Sequence, residues 1–542
     1  MTTFFHKFPS KHTQFSKQKH TIDQPHWYSI ETGIYNSKHT PRTLPSDPFI
    51  DTVSHIFSHK HNGKTALIDS STGYRMSYSE LHTLVQSMAC GLHHQIGVLY
   101  LGAIVTTMNP LSSILEIKKQ TLDCNVNLAF TLSSRVKELS ELGIVCINVP
   151  QNADFDCNLG EFSRFSELIS RNQDLVRPRT ITQNDTAAIL YSSGTTGASK
   201  GVVLTHRNLI SGVELFVQFE ASQYDDRNEE NVYLAVIPMF HIYGLTLFTM
   251  GILSLGSSIV VMNKFDPNEM IKAISKYGVT HFPAVPPLIT TLTKIGKSVH
   301  GARLKSLKQV SCGAAPLNTK TIQEFVQTFP LVDFIQGYGM SESTAVGTRG
   351  FNTRDSKNYS SSGLLAPNME AKVVDCVTGS CMPPGKTGEL WLRGPAVMKE
   401  YLNNVEASNS TIDKDGWLHT GDIVYFDHEG FLYIVDRLKD IIKYKGFQIA
   451  PADLEDVLAC HPAIVDAAVI GDVDDEAGEV PMAFIVKKPE ADVSGSDIID
   501  FVAKQVRPHK KVRKVKFVNA IPKSAAGKIL RRELKYNLYS RL

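Results

Sequence analysis

The stretch Tyr191-Ser192-Ser193-Gly194-Thr195-Thr196-Gly197-Ala198-Ser199-Lys200-Gly201 sets glycines and a row of hydroxyls before one lysine. Backbone N–H groups of such a loop, with its Ser and Thr hydroxyls, can wrap a polyphosphate. A Walker-type phosphate loop ends in adjacent Gly-Lys-Ser/Thr. Here Lys200 stands three residues beyond Gly197 and Gly201 follows it, which argues against that class of nucleotidase. The apolar run Ala187–Leu190 reads as a strand leading into the loop, and Val202-Val203-Leu204 followed by Thr205-His206-Arg207-Asn208 leads out of it.

The elements that must hold such a loop fit a chain of ordinary globular composition. With 542 residues, at least two domains are expected. Apolar residues make up 42% and charged residues 20%, and the formal net charge is +2. That balance implies neither nucleic acid nor an anionic membrane as the main partner. Eight cysteines lie scattered with no C-x-x-C pair, so neither a metal framework nor a disulfide framework is indicated. The first residues, rich in Lys, His, Ser and Thr, read as a disordered arm over 1–26 without the apolar core of a secretory signal. Asn231 to Asn263 holds no Asp, Glu, Lys or Arg and is long enough to suggest a membrane span. Pro238, His241, Gly244, Gly251 and Gly256 divide it instead into a strand (Val232–Ile237), a buried helix and a strand (Ser258–Met262).

Ser77–Gly91 carries Leu81, Leu84, Val85 and Met88 at helical spacing, with Ser79-x-x-His82 as a weak cap. Val126–Thr131 and Val145–Val149 read as strands of a strand–helix–strand unit, and Val279–Phe282 and Val310–Ser311 continue the alternation. This pattern implies an α/β fold with parallel sheets. After Gly363 short strands and turns take over (Ala371–Val374, Glu389–Arg393, the Asp427-His428-Glu429-Gly430 turn), which reads as a small β-rich subdomain. From Arg437 a separate C-terminal α+β domain is expected, with helices at Pro451–Cys460 and Ser496–Val506 and strands at Ile464–Val469 and Met482–Val486.

From about Trp27 to Arg532 the chain resembles the acyl-adenylate-forming (AMP-binding) superfamily, and within it the plant peroxisomal 4-coumarate–CoA ligase-like proteins. The motifs are the stretch at 191–201, Gln336-Gly337-Tyr338-Gly339-Met340-Ser341-Glu342, Trp417-Leu418-His419-Thr420-Gly421-Asp422, Lys439-Asp440-Ile441-Ile442-Lys443-Tyr444-Lys445-Gly446-Phe447-Gln448, and Pro522–Lys528. The resemblance implies a large N-terminal domain (27–436) of parallel α/β sheets plus a β-rich subdomain, and a small mobile C-terminal lid (437–542). It also shows a difference. Between Gly97 and Val98 on the order of twenty residues of the family pattern, a strand and most of a helix, are absent. Losing a strand from a parallel sheet leaves unpaired backbone groups or forces a new pairing.

The resemblance implies an ATP-dependent acid–CoA ligase. A carboxylate and ATP give an acyl-adenylate and pyrophosphate; thiolysis by coenzyme A then gives the acyl-CoA and AMP. Ser192, Ser193, Gly194, Thr195, Thr196 and Lys200 would hold the phosphates, and Gln336, Gly337, Tyr338 and Ser341 the nucleotide, Tyr338 by stacking on adenine. Glu342 would be the Mg²⁺ ligand, since a hard cation bridging phosphates needs an anionic oxygen. Asp422 and Arg437 would take the ribose. Lys528 would stabilise the charge that builds up during adenylation. After a rotation of the lid, Lys439, Lys443 and Gln448 would serve the thioester step, with Lys264, Lys445 and Gly446 at coenzyme A. The acyl site would be built by His241, Tyr243, Gly313, Ala314 and Gly337. His241, on an apolar helix, has a plain alternative as a satisfied core histidine.

The tail Ser540-Arg541-Leu542 resembles the peroxisomal address, which implies the import receptor as partner. Expected substrates are 4-coumarate or a related hydroxycinnamate. The alternatives are a fatty or oxylipin acid, a luciferase-like oxygenase sharing the nucleotide motifs, and an inactive isoform caused by the missing segment.

Overall fold

The long apolar runs of the first two thirds of the chain become the strands of two sheets. The computed structural model describes residues 26–93, 102–151, 160–170, 180–192, 199–224, 231–298, 304–352, 357–524 and 527–539. Outside them lie most of the expected arm, Gly97 and Val98, Ser193 to Ala198, and the tail Ser540-Arg541-Leu542.

A nine-stranded sheet runs in the order Leu364–Leu365, Thr348–Arg349, Asp333–Tyr338, Gln309–Cys312, His281–Ala284, Val232–Ala235, Ser258–Val261, Thr65–Asp69, Arg75–Ser77. The pairs from Asp333–Tyr338 across to Thr65–Asp69 are parallel, and both margins are antiparallel. Parallel strands are buried on both faces and need crossover helices. Pro267–Tyr277 is one of these: Asp266 caps its start, Pro267 opens it, and Gly278 in the left-handed region ends it. The uncharged segment 231–263 does not span a membrane. It forms two neighbouring strands joined by a helical run, Ile242 to Leu255, that passes through a π-turn at Leu245–Gly251. No helix among the described residues is long and apolar enough to cross a bilayer.

The helix expected near Ser77 spans Tyr78–His93. Its cap is Ser77 with Glu80, each reaching the other's backbone N–H, and not Ser79 with His82. The β-rich region is a five-stranded antiparallel sheet, Tyr35–Asn36, Glu370–Val374, Gly388–Arg393, Leu418–Phe426, Leu432–Arg437. Beyond Arg437 a long hairpin, Ile464–Asp474 with Gly478–Lys487, carries the C-terminal sheet. Its core around Leu454, Ile485, Ile498 and Val502 is distinct from the two large cores of the preceding region.

The second sheet of the N-terminal region has four strands, Glu400–Tyr401, Lys200–Thr205, Thr186–Ser192 and Val105–Thr106. Its last strand pairs through Val105 and Thr106 alone. Leu128–Thr131 and Val145–Asn148 lie outside that sheet, as a parallel pair of their own. Apolar side chains are exposed around it, among them Leu111 (88% exposed), Leu115, Leu122 and Val145.

Near the helix Thr52–Ser58, Glu214 gathers two histidines and an arginine. His55 Nε2 and His59 Nε2 lie 3.1 and 2.9 Å from its Oε1, and Arg42 lies 3.2 Å from its Oε2. The residue types suit a metal ion, but Arg42 already offsets the carboxylate charge. His59 Nδ1 faces the His55 carbonyl at 2.9 Å, so an imidazolium satisfies both contacts. The hydrogen bond to Glu214 raises the His59 pKa above its ordinary 6.5, against the effect of burial. A proton held more tightly in the folded chain contributes stability that is complete below the unfolded value and is lost as pH rises through the raised folded value. Glu214→Gln should therefore cost more stability at pH 6 than at pH 9. Thermal melts of both proteins at the two pH values measure this, and an equal loss at both refutes the ionic pairing.

Candidate active site

Backbone pairing brings the sequence motifs together. Ser192 and Lys200 are Cα partners at the mouth of the hairpin whose loop holds Ser193 to Ser199. Ser192 Oγ donates to Glu342 Oε1 at 2.9 Å, and the Lys200 ammonium lies 4.7 Å from the centroid of the Tyr401 ring. Tyr401, not singled out from the sequence, reaches the site because Glu400–Tyr401 pairs with Val203 and Val202. Its hydroxyl donates to the same Glu342 oxygen at 2.8 Å. Burial and that carboxylate push the Tyr401 pKa up, which keeps it a donor. With both hydroxyls on Oε1, Oε2 of this buried carboxylate is turned to other partners, and its chemistry fits a hard cation.

Asp422 is the second centre. The spacing of fifteen residues to Arg437 is that of a hairpin: Leu418–Phe426 and Leu432–Arg437 are antiparallel, and Asp422 and Arg437 are Cα partners. Thr-Gly-Asp is thus part of a strand and not a free turn. Arg437 Nε donates to Asp422 Oδ1 and the Tyr338 hydroxyl to Oδ2, both at 2.6 Å. Burial pushes the Asp422 carboxyl up, and Arg437 holds it down. Each carboxylate oxygen keeps a further lone pair, enough for two vicinal hydroxyls.

Lys528 comes to this centre from the C-terminal sheet. Its loop is tied by Ser524 N–H to the Lys528 carbonyl (2.8 Å) and by Lys528 N–H to Ser524 Oγ (3.2 Å). Gly527, at φ +79°, lies on Pro287, where a Cβ would come within 2.5 Å of Cδ. Burial first, then the charge of Arg437, bring the Lys528 ammonium down to about 8, while Asp422 opposes the shift. Lys528, Arg437 and Asp422 therefore act on one another electrostatically, across two sheets.

The other lysine motif is turned away. Lys443 and Gln448 are cross-strand partners on the hairpin Ile442–Tyr444/Phe447–Ile449, whose tip holds Lys445 and Gly446 at φ +46° and +83°. Lys443, Lys445, Gly446 and Gln448 are exposed, and so is Lys439. The hairpin is fixed at its sides, by Phe447 stacked on His509 (centroids 4.5 Å apart) and Arg513 over Tyr444 (3.9 Å).

The remaining expected site residues fall in three places. Gln336 Nε2 donates to the Tyr359 carbonyl at 2.8 Å, and Ser341 is buried at the start of a 3₁₀ turn with Glu342. His241 is not on the apolar helix but just ahead of it, in extended conformation, with its pKa lowered by the surrounding protein. Tyr243 is buried, its hydroxyl 3.5 Å from Ser311 Oγ; its ring would meet a Cβ on Gly313 at 3.5 Å. Ala314 takes a left-handed φ of +72° right after Gly313. Lys264 is exposed, past the strand Ser258–Val261.

Comparisons with known proteins bear on what these centres do. Residues 95–402 match the AMP-binding enzyme family, and residues 453–528 match the AMP-binding enzyme C-terminal domain. A relative named 4-coumarate–CoA ligase-like 6, from Arabidopsis thaliana, is 55% identical over 98% of each chain. The alignment runs over 556 positions, more than the 542 residues here, so that relative carries residues with no counterpart in this chain. The peroxisomal OPC-8:0-CoA ligase 1 of the same plant is 42% identical over 93% of this chain and 96% of its own. The ATP-bound structure of MatB from Rhodopseudomonas palustris superposes with a TM-score of 0.80 at 24% identity, over 90% of this chain and 98% of its own, and so shares the fold. The chain belongs to the AMP-binding enzyme family, as an ATP-dependent acid–CoA ligase that works through an acyl-adenylate.

Proposed function

We propose that the enzyme activates a hydroxycinnamate, 4-coumarate or a close relative, and that the arrangement described above is its adenylate-forming state. The observation that carries the reading of the state is the position of the two lysine motifs: Lys528 lies beside Asp422 and Arg437, while Lys443, Lys445 and Gln448 face solvent. Asp422 and Arg437 hold the ribose, Ser192 to Lys200 the phosphates, and Tyr338 the base. The carboxylate oxygen of the acid attacks the α-phosphorus, and the bond to pyrophosphate breaks. Lys528, when protonated, offsets the negative charge that is greatest in that transition state. Glu342 would hold Mg²⁺, which would supply neutralisation of the phosphate charge when bound with ATP.

A rotation about a hinge at Lys439, between a domain ending at 436 and one starting at 437, then brings Lys443 and Gln448 inward. The thiol of coenzyme A attacks the acyl carbon, AMP leaves, and the thiol proton is released. The other relative, whose name gives a peroxisomal OPC-8:0-CoA ligase, supports a second substrate class, an oxylipin or fatty acid. Together with Ser540-Arg541-Leu542 it also supports a peroxisomal location.

Purified enzyme with MgATP and coenzyme A should release AMP with 4-coumarate, and Lys528→Ala should lose at least about a hundredfold of that rate, the scale for one preorganised donor. Turnover confined to fatty acids would overturn the substrate and keep the mechanism. Absence of turnover in a folded chain, restored by inserting the family segment between Gly97 and Val98, would instead identify an inactive isoform.

The pH profile gives a separate measurement. Lys528 works as a cation, and its pKa lies at about 8. Because kcat/KM reports groups of the free enzyme, kcat/KM for adenylation, followed by pyrophosphate exchange, should fall as pH rises past about 8. A flat profile to pH 10 would remove Lys528 from that role.

A further inference from the structure

The floor of the expected acyl site contains a charged pair that no sequence motif indicated. Gly337 and Arg349 are Cα partners on the antiparallel strands Asp333–Tyr338 and Thr348–Arg349. Residues paired in this way project to the same face of a sheet. A Cβ built on Gly337 would lie 2.9 Å from Arg349 Nη1 and 3.2 Å from its Cδ. The Arg349 side chain therefore runs across Gly337 and fills the room that the glycine leaves. The expectation that Gly337 leaves space for a flat ring or a chain needs that correction.

Arg349 is only 6% exposed. Its Nε is ion-paired to Glu220, its guanidinium lies 4.9 Å from the centroid of the Phe216 ring, and Tyr243 lies beside that same ring with centroids 6.2 Å apart. Tyr243 in turn lies over Gly313 and faces Ser311. Arg349 thus lies over Gly337 and Tyr243 over Gly313, and both stand against Phe216.

Pairing with Glu220 offsets the charge, so the group is not a trap for a second anion. A guanidinium still has five N–H donors in a rigid fork, more than one carboxylate uses. Donors buried at the end of a pocket must find acceptors, and an alkyl tail supplies none. A site built in this way discriminates strongly between a substrate that brings an oxygen and one that does not.

We propose that Arg349, held by Glu220 and Phe216, is a specificity-determining residue that closes the acyl pocket over Gly337. It selects acids of limited length whose far end carries a neutral oxygen acceptor, over saturated alkyl acids. This rests on the reading of Tyr243, Gly313 and Gly337 as the acyl site.

The test uses the full-length enzyme and two matched pairs, 4-coumarate with cinnamate and 8-hydroxyoctanoate with octanoate. AMP release gives kcat/KM for each acid. The wild type should favour the oxygen-bearing member of at least one pair by about tenfold or more. Arg349→Met alone strands Glu220 in the interior, so the paired variant Arg349→Met/Glu220→Gln, which removes both charges, is the main comparison. In it both ratios should approach one and dodecanoate should become a better substrate, with the KM for ATP unchanged. A wild type that favours the alkyl member, or a folded double variant that keeps the wild-type ratios, overturns the proposal whatever the variant's stability. The outcomes separate this inference from the ligase reading. AMP release with unchanged ratios fails only Arg349, whereas a wild type that releases no AMP with any acid fails both.

Discussion

The buried carboxylate of Asp422 is the constraint on which the site depends. It lies on a strand of the antiparallel sheet, takes a hydroxyl from Tyr338 on the nine-stranded sheet, a guanidinium from Arg437 across its own hairpin, and the field of Lys528 from the C-terminal region. A carboxylate stripped of water raises its pKa and becomes neutral unless charge and hydrogen bonds hold it ionised. Arg437 and Tyr338 provide that hold. Hydrogen bonds to a charged group contribute about 1.5–3 kcal/mol each, so the pair of them also fixes the antiparallel sheet against the edge of the parallel one. Without this anion Lys528 would enter a region holding only the positive charge of Arg437, and burial already lowers its pKa.

The same electrostatics bears on why one small domain carries two lysine motifs. Burial, Arg437 and Lys439 lower the Lys528 pKa, and Asp422 opposes them. The polypeptide between the domains is fixed. Arg531 makes two bonds to Glu455 at 2.8 and 2.9 Å, and Asp436 accepts the backbone N–H groups of Arg437 and Ala452. Ile423, Ile441 and Ala450 form a small apolar cluster across the junction. In the proposed rotation this junction would be the pivot, and Lys528 the group that leaves the site. The proposed rotation needs only that the departure of pyrophosphate removes part of the attraction.

The neighbourhood of Val105–Thr106 is a different part of the molecule. The short strand Val105–Thr106 is tied down by side chains: Gln120 Nε2 donates to Thr106 Oγ1 at 2.8 Å, and the Thr107 hydroxyl to the Phe240 carbonyl at 2.7 Å. These contacts end one residue before His241. The parallel pair at 128–131 and 145–148 is separate from the strands that carry Ser192, Tyr401 and Asp422.

How much of this could be read in the sequence follows from the range over which each feature is encoded. The phosphate hairpin, the Asp422–Arg437 hairpin and the Asp266–Gly278 helix are local, since the residues that specify each lie within one supersecondary unit. Their glycines, caps and spacings stand in the sequence as such. The capping box at Ser77 and Glu80 was equally local, and was missed because the N-terminal boundary was set two residues late. Tyr401 and Arg349 are different. Nothing near Tyr401 in the chain marks a hydroxyl bound for Glu342; a two-residue strand pairing with Val202 and Val203 takes it there. Arg349 would read as a surface charge after a glycine-rich motif, and becomes part of the pocket floor only through its register opposite Gly337 and its pairing with Glu220. A motif specifies the chemistry common to a family. The residues that adapt it to one substrate are brought in by strand register, which depends on the packing of the whole sheet.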